Sequence, residues 1–217
     1  LNSEQCFISC SKEKETKNMI HIMKLIITVL LLFSLQSYAQ QIEIDSDYLK
    51  EKRNVEIYLP ESYEISKVNY PVIYVFDGSV LFDFVVGLCK YNFDVYPEAI
   101  IVGVHQIDRS SELVNLGKES RHNLFSLFFN EELKKHMKEN YRTNNLNVLM
   151  GHSFGGNFVL NEFFKSKNNC VISISPSFGK ENYKLFSKRI KSVEKYQSVY
   201  LGYGSYDYEE IISVSKN

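Results

Sequence analysis

The sequence predicts an α/β fold in which one largely parallel sheet carries helices on both faces. Two observations support this prediction. Short apolar stretches typical of buried strands alternate along the chain with segments whose apolar residues recur at helical spacing. No repeat or low-complexity segment interrupts the series. Because each parallel crossover needs a covering helix, the alternation favours a parallel sheet, whose functional residues gather at the carboxyl ends of the strands.

The predicted elements follow one another from residue 54 onwards. The strands are expected at 54–60, 70–78, 99–105, 146–151, 170–176 and 198–205. The helices are expected at 123–141, at 155–166 and, as one helix or two short ones, at 183–196. In the first helix, one apolar face is predicted to hold Leu124, Leu127, Phe128, Leu133 and Met137.

Length and charge limit the classes of function. The chain has 217 residues, of which 44% are hydrophobic, and this suits one globular domain with a substantial core. The 25 Lys and Arg balance the 26 Asp and Glu, so nothing favours nucleic acid or an anionic membrane as partner. We therefore expect a small or neutral ligand.

The N-terminal segment is typical of targeting. Met23 and Lys24 precede the apolar run 25–35, which is too short to span a bilayer comfortably, and Ala39 offers a cleavage site. We expect residues 1–22 to be a non-native upstream extension, 23–39 a signal peptide and 40–217 the mature domain, which would be periplasmic or secreted. A disordered extension before an uncleaved anchor is the alternative.

Cleavage would leave two of the four cysteines, Cys89 and Cys170, in the mature domain. Both lie beside apolar runs, so separate core thiols are favoured over a disulfide, which stays possible. Metal-ligand spacings are absent from the sequence, and we expect neither a metal nor a cofactor.

The stretch NVLMGHSFGG, residues 147–156, predicts a nucleophile elbow. The G-x-S-x-G turn needs Gly151 and Gly155 because larger side chains would collide in so tight a strand-to-helix turn, and it would expose the hydroxyl of Ser153. The elbow also includes His152 and Gly156. Phe154, at the start of the helix, would offer a backbone N–H to an oxyanion. A plain glycine-rich turn is the alternative.

The order of VEIYLPESY, YPVIYVFDGSVLFD, IIVGVHQIDRSSEL, FFNEELKKHMKENYRTN, GHSFGGNFVL and ISPSF resembles the putative esterase family over about residues 43–207. That family includes enterochelin-type siderophore esterases, feruloyl and acetyl xylan esterases and S-formylglutathione hydrolases. The resemblance implies an α/β-hydrolase fold, an acyl-enzyme on Ser153, and a second oxyanion donor at Gly78 or Ser79. Asp77 would form the turn or contact substrate.

The catalytic acid of the family would fall near the last predicted strand. Asp207 is the only aspartate after Ser153, and Glu209 and Glu210 are close alternatives. In this fold the order along the chain is Ser, then Asp or Glu, then His. A solvated charge after a turn is the other interpretation of Asp207.

The catalytic histidine has no candidate after Ser153, and this departs from the family pattern. The five histidines are His21, His105, His122, His136 and His152. His105, which ends a predicted strand, is the best substitute, although a capping or substrate contact is the favoured role. His152 is expected to point away from the serine hydroxyl and to be structural.

These residues leave several hypotheses open. The favoured one is an exported serine ester hydrolase whose last strand and helix are missing, so that the chain as given is inactive. A non-catalytic hydrolase-fold binding or scaffold protein and an acyltransferase are the alternatives. Arg109, in the expected specificity loop 106–122, would bind a substrate carboxylate or phosphate, or form a surface salt bridge. Which ester is the substrate and the oligomeric state stay open. Residues 40–217 are expected to be poorly soluble, because an apolar helix face would be uncovered.

Overall fold

The computed structural model describes residues 18–28, 39–91, 97–114, 120–165, 170–177, 186, 188–189 and 197–204. The chain divides into two compact units, Leu1–Ser37 and Tyr38–Asn217. In the first unit, residues 18–28 form an exposed helix, α1. Among the described residues, no helix has both the length and the apolar character that crossing a bilayer requires. The predicted cleavage site at Ala39 adjoins residues 29–38, which lie outside the described residues.

The second unit alternates strands and helices as predicted. A 3₁₀ turn covers Glu61–Tyr63, and a π-helical turn, Phe128–Leu133, joins α4 to α5. The strands are β1 (Ala39–Ser46), β2 (Glu51–Tyr58), β3 (Tyr70–Phe76), β4 (Ile100–Val104), β5 (Thr143–His152), β6 (Cys170–Ile174) and β7 (Ser198–Gly202). The helices are α2 (Gly78–Tyr91), α3 (Arg109–Leu113), α4 (Arg121–Leu127), α5 (Lys134–Asn140) and α6 (Phe154–Lys165).

The seven strands form one sheet in the order β1-β2-β4-β3-β5-β6-β7. The run from β4 to β7 is parallel, whereas β1 and β2 pair antiparallel at one end. The predicted α/β class with a mostly parallel sheet is thus confirmed. The sequence did not predict β1, because its residues AQQIEIDS are mostly polar and exposed, as suits an edge strand.

Helices cover both faces of the sheet, as predicted. Along β3, Val72, Tyr74 and Phe76 point into the larger core, which α4 to α6 close, while Val75 points into a smaller core beneath α2. This alternation is the period of two that a strand imposes. Burial of apolar side chains on both faces supplies the main stabilisation of the unit.

Helix α2 was not predicted. Its sequence, GSVLFDFVVGLCKY, is rich in β-branched and aromatic residues and has no continuous polar face. Tertiary packing determines the helix: Phe82, Val85 and Val86 are buried against the sheet. The packing is close, since a Cβ on Gly103 of β4 would lie 2.8 Å from the ring of Phe82.

The predicted apolar face of the long helix was partly wrong. Leu124 and Leu127 are each 41% exposed, and the buried residues of the segment include Phe125 and Phe129, which the prediction omitted. The physical reason is the π-helical turn, Phe128–Leu133, which changes the spacing at which residues return to the same face. The predicted positions Phe128, Leu133 and Met137 are buried.

The expected loop 106–122 contains α3 and the first two residues of α4. Asp108 caps α3 by accepting hydrogen bonds from the N–H groups of Ser110 and Ser111. Further along α3, Glu112 is fully buried and pairs with Arg53 of β2 and Arg121 of α4. Local capping and a buried ion-pair network therefore order the described parts of this segment, 106–114 and 120–122, which its polar composition predicted to be a loop.

Three further predictions concern the two cysteines, the helix at 183–196 and the C-terminal stretch. Cys89 and Cys170 are separate, half-buried free thiols, as expected, and burial raises the pKa of each. The helix predicted at 183–196 falls largely outside the described residues. The C-terminal stretch, 205–217, where the family's next helix would begin, lies outside them entirely.

Candidate active site

Ser153 lies at the predicted break between β5 and α6, at the carboxyl edge of the sheet. Its φ is 56°, in the left-handed region that residues with side chains rarely adopt. Three hydrogen bonds hold it there. Its N–H donates to the carbonyl oxygen of Ile174 at 2.9 Å, and its own carbonyl accepts from the N–H groups of Asn157 and Ser177 at 3.0 Å. The backbone strain is thus fixed by both β6 and α6.

Glycines flank Ser153 because neighbouring atoms leave no space for side chains. A Cβ on Gly151 would lie 2.4 Å from the carbonyl of Gly155, and a Cβ on Gly155 would lie 2.9 Å from Oδ2 of Asp77. A Cβ on Gly156 would lie 2.9 Å from the hydroxyl of Ser173. The elbow pattern therefore has the steric basis that the sequence predicted.

The turn after β3 lies beside the elbow, since β3 and β5 are parallel neighbours with Val75 paired to Met150. Asp77 has a φ of 61°, and its carbonyl oxygen accepts the N–H groups of Val80 and Leu81, so that it begins α2. Gly78 and Ser79 occupy the first turn, where backbone N–H groups have no acceptor within the helix. Asp77 therefore has the turn geometry that the sequence proposed for it.

Phe154 occupies the corresponding first position of α6. Two helices thus begin at the same edge of the sheet, one on each side of the β3–β5 pair. Helix N-termini carry unpaired N–H groups and a partial positive charge, both of which stabilise a developing oxyanion. The site can therefore supply the donors that acyl transfer at Ser153 would need.

Arg109 of α3 reaches this edge and binds Asp77 with two hydrogen bonds. Its Nε donates to Oδ1 of Asp77 at 2.7 Å and its Nη2 donates to Oδ2 at 2.9 Å. The bidentate grip that the sequence suggested for a substrate carboxylate is thus made with a protein carboxylate. Ser79, Gln106, Arg109 and His152 are among the residues that line an open cavity of about 220 Å³ beside it.

The sequence matches the family described as Putative esterase over residues 46–204. The chain belongs to this family. Its α/β-hydrolase fold and its family membership place it among hydrolases that act on esters. No curated protein matches the sequence closely.

Several solved structures share this fold. An IroE-like serine hydrolase from Shewanella oneidensis has a TM-score of 0.73 and 25% identity, covering 82% of this chain and 68% of that one. The siderophore hydrolase EstB from Aspergillus nidulans has a TM-score of 0.63 and 20% identity, with coverages of 77% and 70%. The enterobactin esterase FES from Shigella flexneri has a TM-score of 0.61 and 20% identity, with coverages of 83% and 49%. This chain therefore spans about half the length of that esterase.

The structure describes all five histidines of this esterase-family chain. None of these five described histidines hydrogen-bonds Ser153. His105 follows β4, and its Nε2 lies 2.7 Å from Oε2 of Glu56 on β2. In the sheet, β2 lies on the side of β4 that faces away from β5, the strand that leads to Ser153. The substrate contact expected for His105 stays a prediction, although its ring is not among the described residues that line the cavity. His21 lies on α1 and His136 on α5.

His122 is fully buried, and its Nδ1 donates to the carbonyl oxygen of Glu112 at 3.1 Å. Burial lowers the pKa of this imidazole, and the nearby ammonium group of Lys165 lowers it further. His152 differs, since its side chain is exposed and lines the cavity. The structural, packed role expected for His152 does not match this exposure, because β5 ends at this residue and no element covers its ring among the described residues.

The predicted acid, Asp207, and its alternatives Glu209 and Glu210 lie outside the described residues, so their role stays a prediction. The strand before them is placed as expected. β7 runs parallel to β6, and the carbonyl oxygen of Gly202 accepts the N–H of Ser175 at 2.7 Å. The chain therefore leaves β7 at the same edge of the sheet as Ser153.

Sequence reasoning missed Gln106 and the pairing of Asp77 with Arg109. The Oε1 of Gln106 accepts the N–H of Asp77 at 2.9 Å, and its Nε2 donates to the carbonyl oxygen of Val104 at 3.0 Å. One signal was available: these residues lie at the end of, or within four residues after, two predicted strands, 70–78 and 99–105, whose carboxyl ends share an edge. Among the described residues, no group of His, Cys, Asp or Glu is placed to hold a metal ion.

Proposed function

We propose that this chain is a serine ester hydrolase that forms an acyl-enzyme on Ser153. The observation that carries the proposal is the position of Ser153, held at a φ of 56° between the N-termini of α2 and α6. Such a turn exposes a hydroxyl to substrate and surrounds it with backbone donors. Family membership supplies the class of bond that is cleaved.

The reaction has two halves. The Oγ of Ser153 attacks the ester carbonyl carbon, and the alcohol leaves with the proton that the serine loses. The N–H groups of Phe154 and of Gly78 or Ser79 bind the oxyanion while it exists. Water then attacks the acyl-enzyme, releases a carboxylic acid and returns the proton to Oγ.

Serine is a weak nucleophile without a base to accept its proton. Because none of the five histidines, all of them in described parts of the chain, hydrogen-bonds Ser153, we expect this chain to hydrolyse esters slowly. The oxyanion donors alone still give a rate roughly 10³-fold above that in water. The same observation favours a second candidate, a hydrolase-fold binding protein in which the elbow persists as architecture.

The substrate that we propose is a small ester of the siderophore, feruloyl or simple acyl type. Two of the similar structures are those of a siderophore hydrolase and an enterobactin esterase. The ion pair between Asp77 and Arg109 leaves the wall of the adjacent cavity close to neutral. A neutral wall suits an uncharged acyl or aryl group better than an anion.

Turnover of p-nitrophenyl acetate by the full chain tests the proposal. Ser153→Ala is compared with Ser66→Ala, a change at a remote, partly exposed loop position. We expect slow turnover and labelling by a fluorophosphonate, both lost in Ser153→Ala and both kept in Ser66→Ala. Turnover equal in all three proteins would contradict the role of Ser153. Absence of turnover and labelling in the unmodified chain would favour the binding protein.

We also propose that the domain is exported, on the strength of Met23, Lys24 and the apolar run 25–35. Expression with a C-terminal tag, followed by separation of the cell compartments, tests this. We expect the tag outside the cytoplasm with a mass that fits cleavage after Ala39. Replacement of Leu31 and Leu32 by Asp should keep the tagged protein inside; equal export of both forms would contradict the proposal.

A further inference from the structure

Arg109 makes four contacts at the candidate site, and three of them are hydrogen bonds. Two join Nε and Nη2 to the carboxylate of Asp77, as described above. The third joins Nη2 to the carbonyl oxygen of His152 at 3.3 Å. The fourth is a cation–π contact, in which the guanidinium carbon lies 5.1 Å from the centre of the Phe154 ring. His152 and Phe154 are the residues on either side of Ser153.

Asp77 links the other half of the site to the same guanidinium. Its side chain is only 10% exposed, and its Oδ2 lies where a side chain on Gly155 would have to go. Its N–H is held by Gln106, and its carbonyl oxygen begins α2. Asp77 is therefore held through its carboxylate and its backbone together, and displacement of the residue as a whole would move the first turn of α2, which holds Gly78 and Ser79.

Arg109 is itself well anchored. Asp108, the residue before it, caps α3, and Glu112 of the same helix is fully buried between Arg53 and Arg121. Arg53 also donates to the carbonyl oxygen of His105 at the end of β4. Buried, charge-assisted hydrogen bonds of this kind hold a short helix in one position. The guanidinium group of Arg109 is therefore carried by a helix, α3, that is held in one position.

We propose that Arg109 is a positioning residue, which holds the oxyanion-donor turn at Gly78 and Ser79 at a fixed distance from the nucleophile elbow. The proposal rests on the proposed function for its catalytic consequence, but its structural part stands alone. The two turns belong to separate strand ends, and Arg109 is bound to both. A misplacement of about 1 Å between reacting groups can cost about 100-fold in rate.

This role differs from substrate binding in what it predicts. A residue that grips substrate would raise KM when it is removed, whereas a residue that aligns oxyanion donors would lower kcat. The positive charge of Arg109 is already paired with Asp77, so a substrate carboxylate would have to compete with a bidentate partner. We therefore expect the loss of Arg109 to lower kcat and to leave KM little changed.

The test uses the full chain with Arg109→Ala, and Arg142→Ala as the matched control. Arg142 is also partly buried, donates to the backbone of Tyr63 and directly precedes β5, at the opposite edge of the sheet from Ser153. Hydrogen exchange of segments 77–81 and 151–157, ester turnover, and turnover with millimolar guanidinium chloride are measured for each protein. Urea at the same concentration controls for denaturant effects.

For Arg109→Ala we expect faster exchange in both segments, a fall in kcat of about 10- to 100-fold with KM little changed, and partial recovery with guanidinium but not with urea. Arg142→Ala should show none of these. Unchanged exchange in the two segments would overturn the proposal, as would a fall in kcat no larger than that of Arg142→Ala. If the unmodified chain shows no turnover, the proposed function fails and the exchange measurement alone decides the role of Arg109.

Discussion

Gly151 and Gly155 approach each other so closely that a Cβ atom on Gly151 would lie 2.4 Å from the carbonyl carbon and oxygen of Gly155. Both residues belong to the backbone of the elbow, one at the end of β5 and the other in the first turn of α6. Neither can move without displacing Ser153. This contact fixes the tight turn on which the proposed chemistry depends.

Gly151→Ala is therefore expected to lower the free energy of unfolding by about 1–3 kcal/mol, because the clash is with backbone and not with a flexible side chain. Gly87→Ala is the control. Gly87 lies within α2 with nothing within 4 Å of its added Cβ, and the change should raise stability by about 0.5–1 kcal/mol. Urea unfolding of both variants measures the difference. Equal and small effects would contradict the steric account of the elbow.

Ser153 should show a conflict between stability and function. At its φ of 56°, an L-residue with a side chain carries a cost that glycine avoids. Ser153→Gly is expected to be more stable than Ser153→Ala by up to about 1 kcal/mol, although both should lose ester turnover. At Ser66, which is not among the described residues with positive φ, the order of the Gly and Ala variants should be reversed. The same order at both positions would contradict backbone strain at Ser153.

His122 should make stability depend on pH. In the folded chain its pKa lies below the usual value of 6.5, because the ring is buried and Lys165 is near. The unfolded chain therefore binds more protons as the pH falls below 6.5, so stability is full above that pH and decreases below it, by up to about 1.4 kcal/mol for each pH unit.

Thermal unfolding between pH 7.5 and pH 5 measures this dependence in the unmodified chain and in His122→Gln. The variant is expected to lose less stability on acidification than the unmodified chain. His136→Gln, at a partly exposed position on α5, should follow the unmodified chain. A pH dependence that is the same in all three proteins would show that His122 does not titrate on unfolding.

Helix α2 exposes an apolar stripe that should promote self-association. The stripe consists of Val80, Phe84, Leu88 and Tyr91, which are 76%, 61%, 44% and 88% exposed. Contiguous apolar patches of this kind favour association of copies in solution. The double change Phe84→Glu and Leu88→Lys is expected to raise solubility and to reduce light scattering without lowering Tm, since the pair adds a favourable i, i+4 contact.

Ile65→Glu is the control for the stripe. Ile65 is 89% exposed but lies alone on the turn after the 3₁₀ segment. Its replacement should change scattering little. If it improves solubility as much as the double change on α2, the removal of any exposed apolar side chain, and not of the stripe in particular, explains the effect.

The sequence correctly predicted those elements whose structure is determined by residues that are neighbours along the chain. The buried strands β3 and β4 are near-continuous apolar runs, and the elbow at Ser153 has a glycine on each side for a steric reason that the sequence makes visible. It failed for α2, whose composition favours a strand and whose helix depends on packing against Gly103. It also failed for α3, whose order depends on the pairing of Glu112 with residues distant in sequence.

By itself, the sequence determined the α/β class and the serine elbow, because each is a matter of local order along the chain. Only the tertiary structure decided which charged groups meet. Asp77 and Arg109 are 32 residues apart and each had several possible partners; the parallel strands β3 and β4 bring them together at one edge of the sheet. Such a pairing depends on strand order, which no local pattern specifies.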